Sequence, residues 1–388
     1  MGSENVLDKL GSVQSELNQY FLEREKEVKL SLTAVAARQH MLLLGPVGTA
    51  KTQLIEAVAQ HLDAGYAEVD TTMYFRRLLT RFTVPEELFG PWDFQALKTG
   101  VFKRVIKGKL PTARIVFLDE IFKGQNSAVL NTLLTLINER KFENNDKIIE
   151  VPLISLFCAS NELPDWESEQ GQELQALYDR IHLKTVVRPV SRENWLKLWD
   201  LPPSYTPKTK IDPQQLVEAA ENVDIRSITG EALEIRNRLE DNGVMISDRR
   251  WIQAKTTIKA YTLVNGKQKA TPDDLEVLGH MFWWGIEEQQ KVQKTVFEVC
   301  NVFEMKAIEI VEILDELKEK VNQLAQLTNP AQQRDTFEVY NKLASMHSEL
   351  EEILRDAKAQ GRRTDTIEKV QANVAQQLRR MQKILRIV

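Results

Sequence analysis

The chain has 388 residues, 43% of them hydrophobic and 28% charged, with a formal net charge of −5. That length allows two or three domains with a sizeable core, and no apolar run approaches the ~18 residues that a membrane-spanning helix needs. With no basic segment leading into an apolar one at the start, a soluble cytoplasmic protein with no transmembrane segment is expected, and the acidic balance argues against general nucleic-acid binding.

In chain order, residues 1–40 read as helical and lead into Met41–Leu44, an apolar run suited to a buried strand. A helix follows from Lys51, then a short strand-like run at 67–69, a strand at Ile115–Leu118, a helix near 128–138 and a strand at Leu153–Ala159. Strands alternating with helices predict a parallel sheet flanked by helices, an α/β core over 1–190. Two segments, 101–110 and 141–151, read as hairpins, the second around Asn144-Asn145-Asp146. The prolines at 202, 203, 207 and 213 predict an extended connector over 191–211, and short helices broken at 241–243, 265–266 and 271–272 predict a small all-α lid over 212–280.

Beyond 281 the apolar positions Val292, Val296, Val299, Phe303, Ala307, Ile310 and Leu314 keep spacings of 3 and 4 that continue to Leu324. With stops at Asn329-Pro330 and Gly361, they predict three long helices in a C-terminal bundle over 281–388. Residues 300–360 hold 12 acidic and 7 basic residues, whereas 361–388 hold 2 and 7. A basic last helix packed on acidic neighbours explains that split more simply than a nucleic-acid surface made of Arg362, Arg363, Arg379, Arg380, Lys383 and Arg386. Cys158 and Cys300 read as buried free thiols of a reducing compartment, and the five histidines show no zinc spacing.

Residues 45–52, GPVGTAKT, follow the first strand and open a helix. They nearly match the phosphate loop G-x-x-x-x-G-K-[ST], in which backbone N–H groups and a helix N-terminus surround phosphate oxygens. Gly45 and Gly48 are the expected strained positions. Ala50 replaces the last glycine and is expected to enter the helix at negative φ without strain. Lys51 would supply charge to the β and γ phosphates and Thr52 a hydroxyl to Mg²⁺, with Pro46, Val47 and Thr49 completing the loop. A plain Gly/Pro turn opening an ordinary helix remains the competing interpretation. Asp119 and Glu120 end a buried strand: Asp119 would hold Mg²⁺ through water and Glu120 would polarise the water attacking the γ-phosphate, unless either merely caps the next helix.

Gly45–Thr52, Asp119-Glu120, the strand ending at Ser160-Asn161 and the pair Asp179-Arg180 together resemble an AAA+ ATPase. Ala50, Pro85–Gly90 and Leu118–Gly124 are similar to the MoxR branch. Ala176–Arg180, Ser247–Trp251 and Leu278-Gly279-His280 resemble its regulatory ATPase variant A (RavA) type, whose extra β-rich insertion is missing here. The resemblance implies ATP and Mg²⁺ as ligands and Asn161 as a first sensor. It implies Arg180 as a finger given to a neighbouring subunit, and Arg249, or else adjacent Arg250, as a second sensor coupling the lid to phosphate. It places the 101–110 and 141–151 segments at a central pore. It further implies a homo-oligomeric ring, expected as a hexamer, that remodels a partner protein bearing a von Willebrand factor A domain. A nucleotide-gated scaffold with incidental turnover and a nucleic-acid-acting ATPase are the rivals.

Overall fold

A computed structural model of the chain describes residues 2–62, 72–123, 127–192, 194–325 and 334–385. The expected strand at 67–69, Gly124, the stop at Asn329-Pro330 and Arg386 lie outside the described residues. Two compact units are present, one comprising Met1–Ile225, Ile246–Ala270 and His280–Gln289, the other Arg226–Met245, Thr271–Gly279 and Gln290–Val388.

The N-terminal helical stretch is two helices, α1 (Gly2–Tyr20) and α2 (Glu25–Ala36), separated where Glu23 takes φ +56°. In α1, Val6, Leu10, Val13 and Leu17 recur at spacings of 4, 3 and 4 and are all buried, the stripe that makes an amphipathic helix. The core then alternates β1 (Met41–Leu44), α3 (Lys51–His61), β2 (Thr72–Leu78), α4 (Pro85–Phe89), α5 (Phe94–Leu97), β3 (Ala113–Asp119) and α6 (Ser127–Glu139). It continues with β4 (Lys141–Asn144), β5 (Lys147–Glu150), β6 (Ser155–Ser160), α7 (Glu169–Arg180) and β7 (Leu183–Val186).

Five strands form a parallel sheet in the order β2-β3-β6-β1-β7. Crossover helices cover such a sheet on both faces, and β1 and β6 are accordingly buried along their whole length. Leu42, Val116, Leu156 and Cys158 pack with Leu133 and Leu136 of α6 and Leu177 of α7, each burial worth roughly 1.5–3 kcal/mol for the larger aliphatic chains. The apolar stretches of β1, β3 and β6 announce these strands. β2 (TMYFRRL) and β7 (LKTV) lack such a run, and both lie at the edges of the sheet.

β4 and β5 form the antiparallel hairpin expected around Asn145 and Asp146. The hairpin expected at 101–110 does not form. That segment turns away from itself and pairs with 91–93: Asp93 N–H donates to Lys103 O (2.9 Å), Val105 N–H to Pro91 O (2.8 Å), and Trp92 and Arg104 form one bridge. Asn144 clamps it from β4, its Oδ1 accepting from Arg104 N–H (2.6 Å) and its Nδ2 donating to Arg104 O (3.1 Å).

Beyond β7 the connector expected as extended carries a short 3-10 helix at Trp195–Asp200, and Asp212 then caps α8 (Pro213–Glu221), its side chain accepting from Gln214 N–H, with Pro213 at the first helical position. Then follow α9 (Thr229–Asp241), α10 (Asp248–Val264), α11 (Ile286–Cys300), α12 (Val302–Ala325), α13 (Arg334–Ala359) and α14 (Asp365–Leu385). The 3-and-4 seam is thus cut at Asn301, so the segment expected as three long helices holds four among the described residues. α12, α13 and α14 pack around Leu314, Leu343, Leu350 and Val374. Arg362 and Arg363 pair with Asp273 (2.7 Å) and Glu276 (3.0 Å), and Arg380 donates to Asn322 (3.1 Å), so part of the basic C-terminal segment is spent inside its own unit. Among the described residues no helix is long and apolar enough to cross a membrane.

Candidate functional site: two edges of one sheet

The turn after β1 begins at Gly45, whose N–H donates to Ser160 O (3.0 Å) and whose φ is +157°. A Cβ there would lie 2.3 Å from Val187 O, so a side chain cannot be accommodated without moving backbone. Gly48 has φ +83°. Ala50 departs from the expectation of a relaxed helical entry: it has φ +60° and ψ 19°, in the left-handed region, and immediately precedes α3. The usual glycine therefore has a backbone reason at this position, and alanine occupies it against an unfavourable approach of Cβ to the following carbonyl.

Lys51 is buried. Its Nζ donates to Gly45 O (2.7 Å) and Pro46 O (2.8 Å), closing the loop over the ammonium, while Thr49 Oγ1 donates to Pro46 O (2.9 Å). Burial pushes the Lys51 pKa down, and the charges of Asp119 and Glu120 oppose that shift. These carboxylates end β3, with β6 between β3 and β1. Glu120, like Ala50, is left-handed (φ +54°), and its N–H donates to Asp119 Oδ1 (3.0 Å). Non-glycine residues in that region cluster where structure over-determines them, as at functional sites. Asn161, just past the end of β6, donates through Nδ2 to Glu120 Oε1 (2.8 Å), and Lys123 Nζ lies 3.3 Å from the same oxygen. Glu120 Oε2 is buried and without a hydrogen-bond partner among the described residues, a free acceptor in a site that already holds a positive charge.

Arg180, Arg249 and Arg250 lie elsewhere. Arg180 ends α7 just before β7, whose Leu183 is in register with Met41, the first residue of β1. The Gly45–Thr52 loop leaves the other end of β1, so ~13 Å of strand separates the two edges. At the edge where strands begin, Arg180, Arg249 and Arg250 join Arg38 and Arg140 around a cavity of about 110 Å³ that also touches His40 and His182. Arg250 is buried and pairs with Asp179 (3.0 Å), whereas exposed Arg249 donates to Asn138 Oδ1 (3.3 Å). Arg180 donates to Ala176 O (2.6 Å) in its own helix, and its Nε is buried without a partner among the described residues. The arrangement therefore separates loop, carboxylates and amide from the arginines. Sequence reasoning missed Arg38 and Arg140, which carry no motif and enter the cavity through left-handed turns at φ +51° and +53°.

Comparison with known proteins agrees with the fold. Residues 8–220, more than half of the chain, match the model described as the MoxR domain in the MoxR-vWA-beta-propeller ternary systems, and residues 227–296 match an AAA lid domain. The chain is 41% identical over 373 residues to the uncharacterized protein MJ0079 of Methanocaldococcus jannaschii, covering 94% of each chain. It is 42% identical over 356 residues to MJ0812 of the same organism, covering 90% of this chain and 92% of that one. It also matches structural protein ORF618 of Acidianus two-tailed virus, 30% identical over 228 residues, 58% of this chain and 34% of that one. A crystal structure of a candidate ATPase from Cytophaga hutchinsonii superposes with a TM-score of 0.59 at 18% identity, covering 77% of this chain and 96% of that chain, and shares the fold. The parallel sheet and the lid match, together with the family model over residues 8–220, place the chain in the MoxR family of AAA+ ATPases.

Proposed function

We propose that the protein hydrolyses ATP as a ring-forming motor, with a hexamer as the expected assembly, and uses the turnover to remodel a partner protein. The observation that carries the chemistry is the Asn161–Glu120 hydrogen bond of 2.8 Å beside the phosphate loop. It orients one carboxylate oxygen of Glu120 and leaves Oε2 buried and unspent, the state a base needs in order to take up a water. Lys51 would exchange its loop carbonyls for β and γ phosphate oxygens, and Gly45–Thr52 would wrap the phosphates with backbone N–H groups.

The donors suit Mg²⁺. No cluster of three or more His, Cys, Asp or Glu among the described residues makes a self-sufficient metal site, and magnesium at nucleotides characteristically takes few protein ligands beside phosphate and water. Thr52 and Asp119 would hold the ion, which when bound would neutralise phosphate charge.

Arg180, Arg249 and Arg250, on the opposite edge from Lys51, are the reason to propose a ring. An arginine there would serve a neighbour's triphosphate, where such a charge is worth about 10³–10⁵ in rate. Arg249, with its exposed head, and Arg250, held by Asp179, would assist from the same edge. Their two segments, Ala176–Arg180 and Ser247–Trp251, carry the resemblance to the RavA type, which supports that type within the family. The division into a core (1–190), connector (191–211), lid (212–280) and helical module (281–388) belongs to it as well, with the lid match over 227–296 in support. The matched domain is described in systems that include a vWA protein, which supports a von Willebrand factor A domain partner.

The test is Glu120→Gln in the full chain. Mg-ATP binding by calorimetry should persist while phosphate release falls by at least a hundredfold and partner remodelling stops. Full turnover in that variant sinks the assignment of Glu120, and remodelling that survives without turnover favours a nucleotide-gated scaffold instead.

A further inference from the structure

Helix α7 connects the two edges of the site, and one side chain in its last turn touches the structure behind both. Tyr178 is fully buried. Its ring packs against Trp166 (4.8 Å between centroids), Trp284 (5.1 Å) and Phe122 (6.2 Å). Phe122 lies two residues beyond Glu120, Trp166 five beyond Asn161, and Arg180 two beyond Tyr178 itself.

What these side chains hold is a stretch of backbone. Residues 281–284, Met-Phe-Trp-Trp, form no helix and no sheet pairing. The carbonyls of Trp283 and Trp284 are taken by side chains instead. Tyr178 O–H donates to Trp283 O (3.2 Å) and Trp284 O (3.3 Å), Trp166 Nε1–H to Trp284 O (3.3 Å), and Lys184 Nζ to Trp283 O (3.1 Å) while lying 4.2 Å over the Tyr178 ring. Burial raises the Tyr178 pKa, so the phenol stays protonated and remains a donor. At the far end Trp284 N–H donates to Glu288 Oε2 (2.6 Å) in the first turn of α11. The Arg250 guanidinium lies 5.3 Å over the Trp284 ring.

We propose that Met281–Trp284 is a strap that registers the nucleotide state, and that Tyr178 and Trp166 are positioning residues that set Arg180 through it. The proposal rests on the ATPase reading above. Trp166 N–H and Tyr178 O–H meet on one acceptor, Trp284 O, so a displacement of the loop after Asn161 changes what Tyr178 can hold. A polar network of this kind passes from one satisfied arrangement to another, because a half-made arrangement leaves buried donors unpaired. Tyr178 lies in the same helical turn as Ala176, on which the head of Arg180 rests. A shift of that turn therefore re-aims Arg180, and the strap carries the same shift into the start of α11.

Tyr178→Phe deletes the O–H and keeps the ring, and Trp166→Phe deletes the N–H. Each would be made in the full chain and followed by ATP turnover, by calorimetry with Mg-ADP, and by hydrogen exchange over 281–288 with and without a non-hydrolysable ATP analogue. We expect KM and ADP affinity to stay within about twofold and kcat to fall about ten- to a hundredfold, the scale at which a misplaced group is felt. The exchange difference that the analogue induces in the wild type should disappear. A purely structural role would raise exchange in both states and preserve the difference. Retention of kcat and of the exchange difference by both variants overturns the strap while leaving the ATPase reading intact. A wild-type chain without turnover overturns both.

Discussion

Ala50 shows how a single backbone angle can change the meaning of a motif. Its φ of +60° puts an L side chain where glycine is at ease, at a cost of about 1 kcal/mol. Ala50→Gly should therefore raise the unfolding free energy by up to roughly that amount, less what the glycine's greater freedom in the unfolded chain takes back, and so raise the denaturant midpoint. An unchanged or lower midpoint would show that the loop accommodates alanine at no net cost. Glu120 holds a similar angle, φ +54°, but there the strained turn carries a carboxylate to within reach of Asn161. The same region of φ/ψ space thus shapes the loop at one residue and brings a carboxylate to Asn161 at another.

Among the elements, β1 is pinned at its base by a residue with no part in the chemistry. His40 Nδ1 accepts from Leu156 N–H of β6 (3.1 Å), which leaves Nε2–H to donate to Ile137 O of α6 (3.1 Å). Burial pushes its pKa down to about 4, and that of His280 to about 4 as well. Below the ordinary value of 6.5 the unfolded chain takes up protons that the folded chain refuses. Stability is therefore complete above about pH 6.5 and falls as pH drops towards 4, by about 3 kcal/mol per histidine. Denaturant midpoints at pH 7.5 and pH 5 should show the fall, and His40→Gln should lower stability at both values while shrinking the difference. A difference of unchanged size in that variant would remove His40 as its source.

At the same scale, the strands show what local pattern can reveal. β1, β3 and β6 are buried on both faces and therefore consist of apolar runs, which is why the tips bearing Gly45, Asp119 and Asn161 were legible. β2 and β7 were not: an edge strand with two exposed arginines and a strand with a buried lysine carry no such run. The alternation in 101–110 suggested self-pairing, but the donors and acceptors that decide it belong to residues 91–93 and to Asn144. Asn301 interrupts an apolar spacing that by itself gives no sign of a break.

At the scale of the whole molecule, the separation of Lys51 from Arg180 by the length of β1 predicts shared sites between subunits. Lys51→Ala and Arg180→Ala chains, each inactive alone, should recover part of the wild-type turnover when mixed. Mixed rings contain some junctions with an intact loop on one side and an intact arginine on the other. Failure to recover, in mixtures shown to co-assemble, would place both groups in one subunit's site. The sequence by itself marked a glycine-bearing loop, strand-end carboxylates and buried strands, since each is written in local spacing. The tertiary structure alone decided that Asn161 meets Glu120, that Arg249 and Arg250 gather with Arg180 away from this chain's own loop, and that Tyr178 grips residues 281–284. Those relations depend on strand order and on contacts such as Tyr178 to Trp284, 106 positions apart, on which local periodicity carries no information.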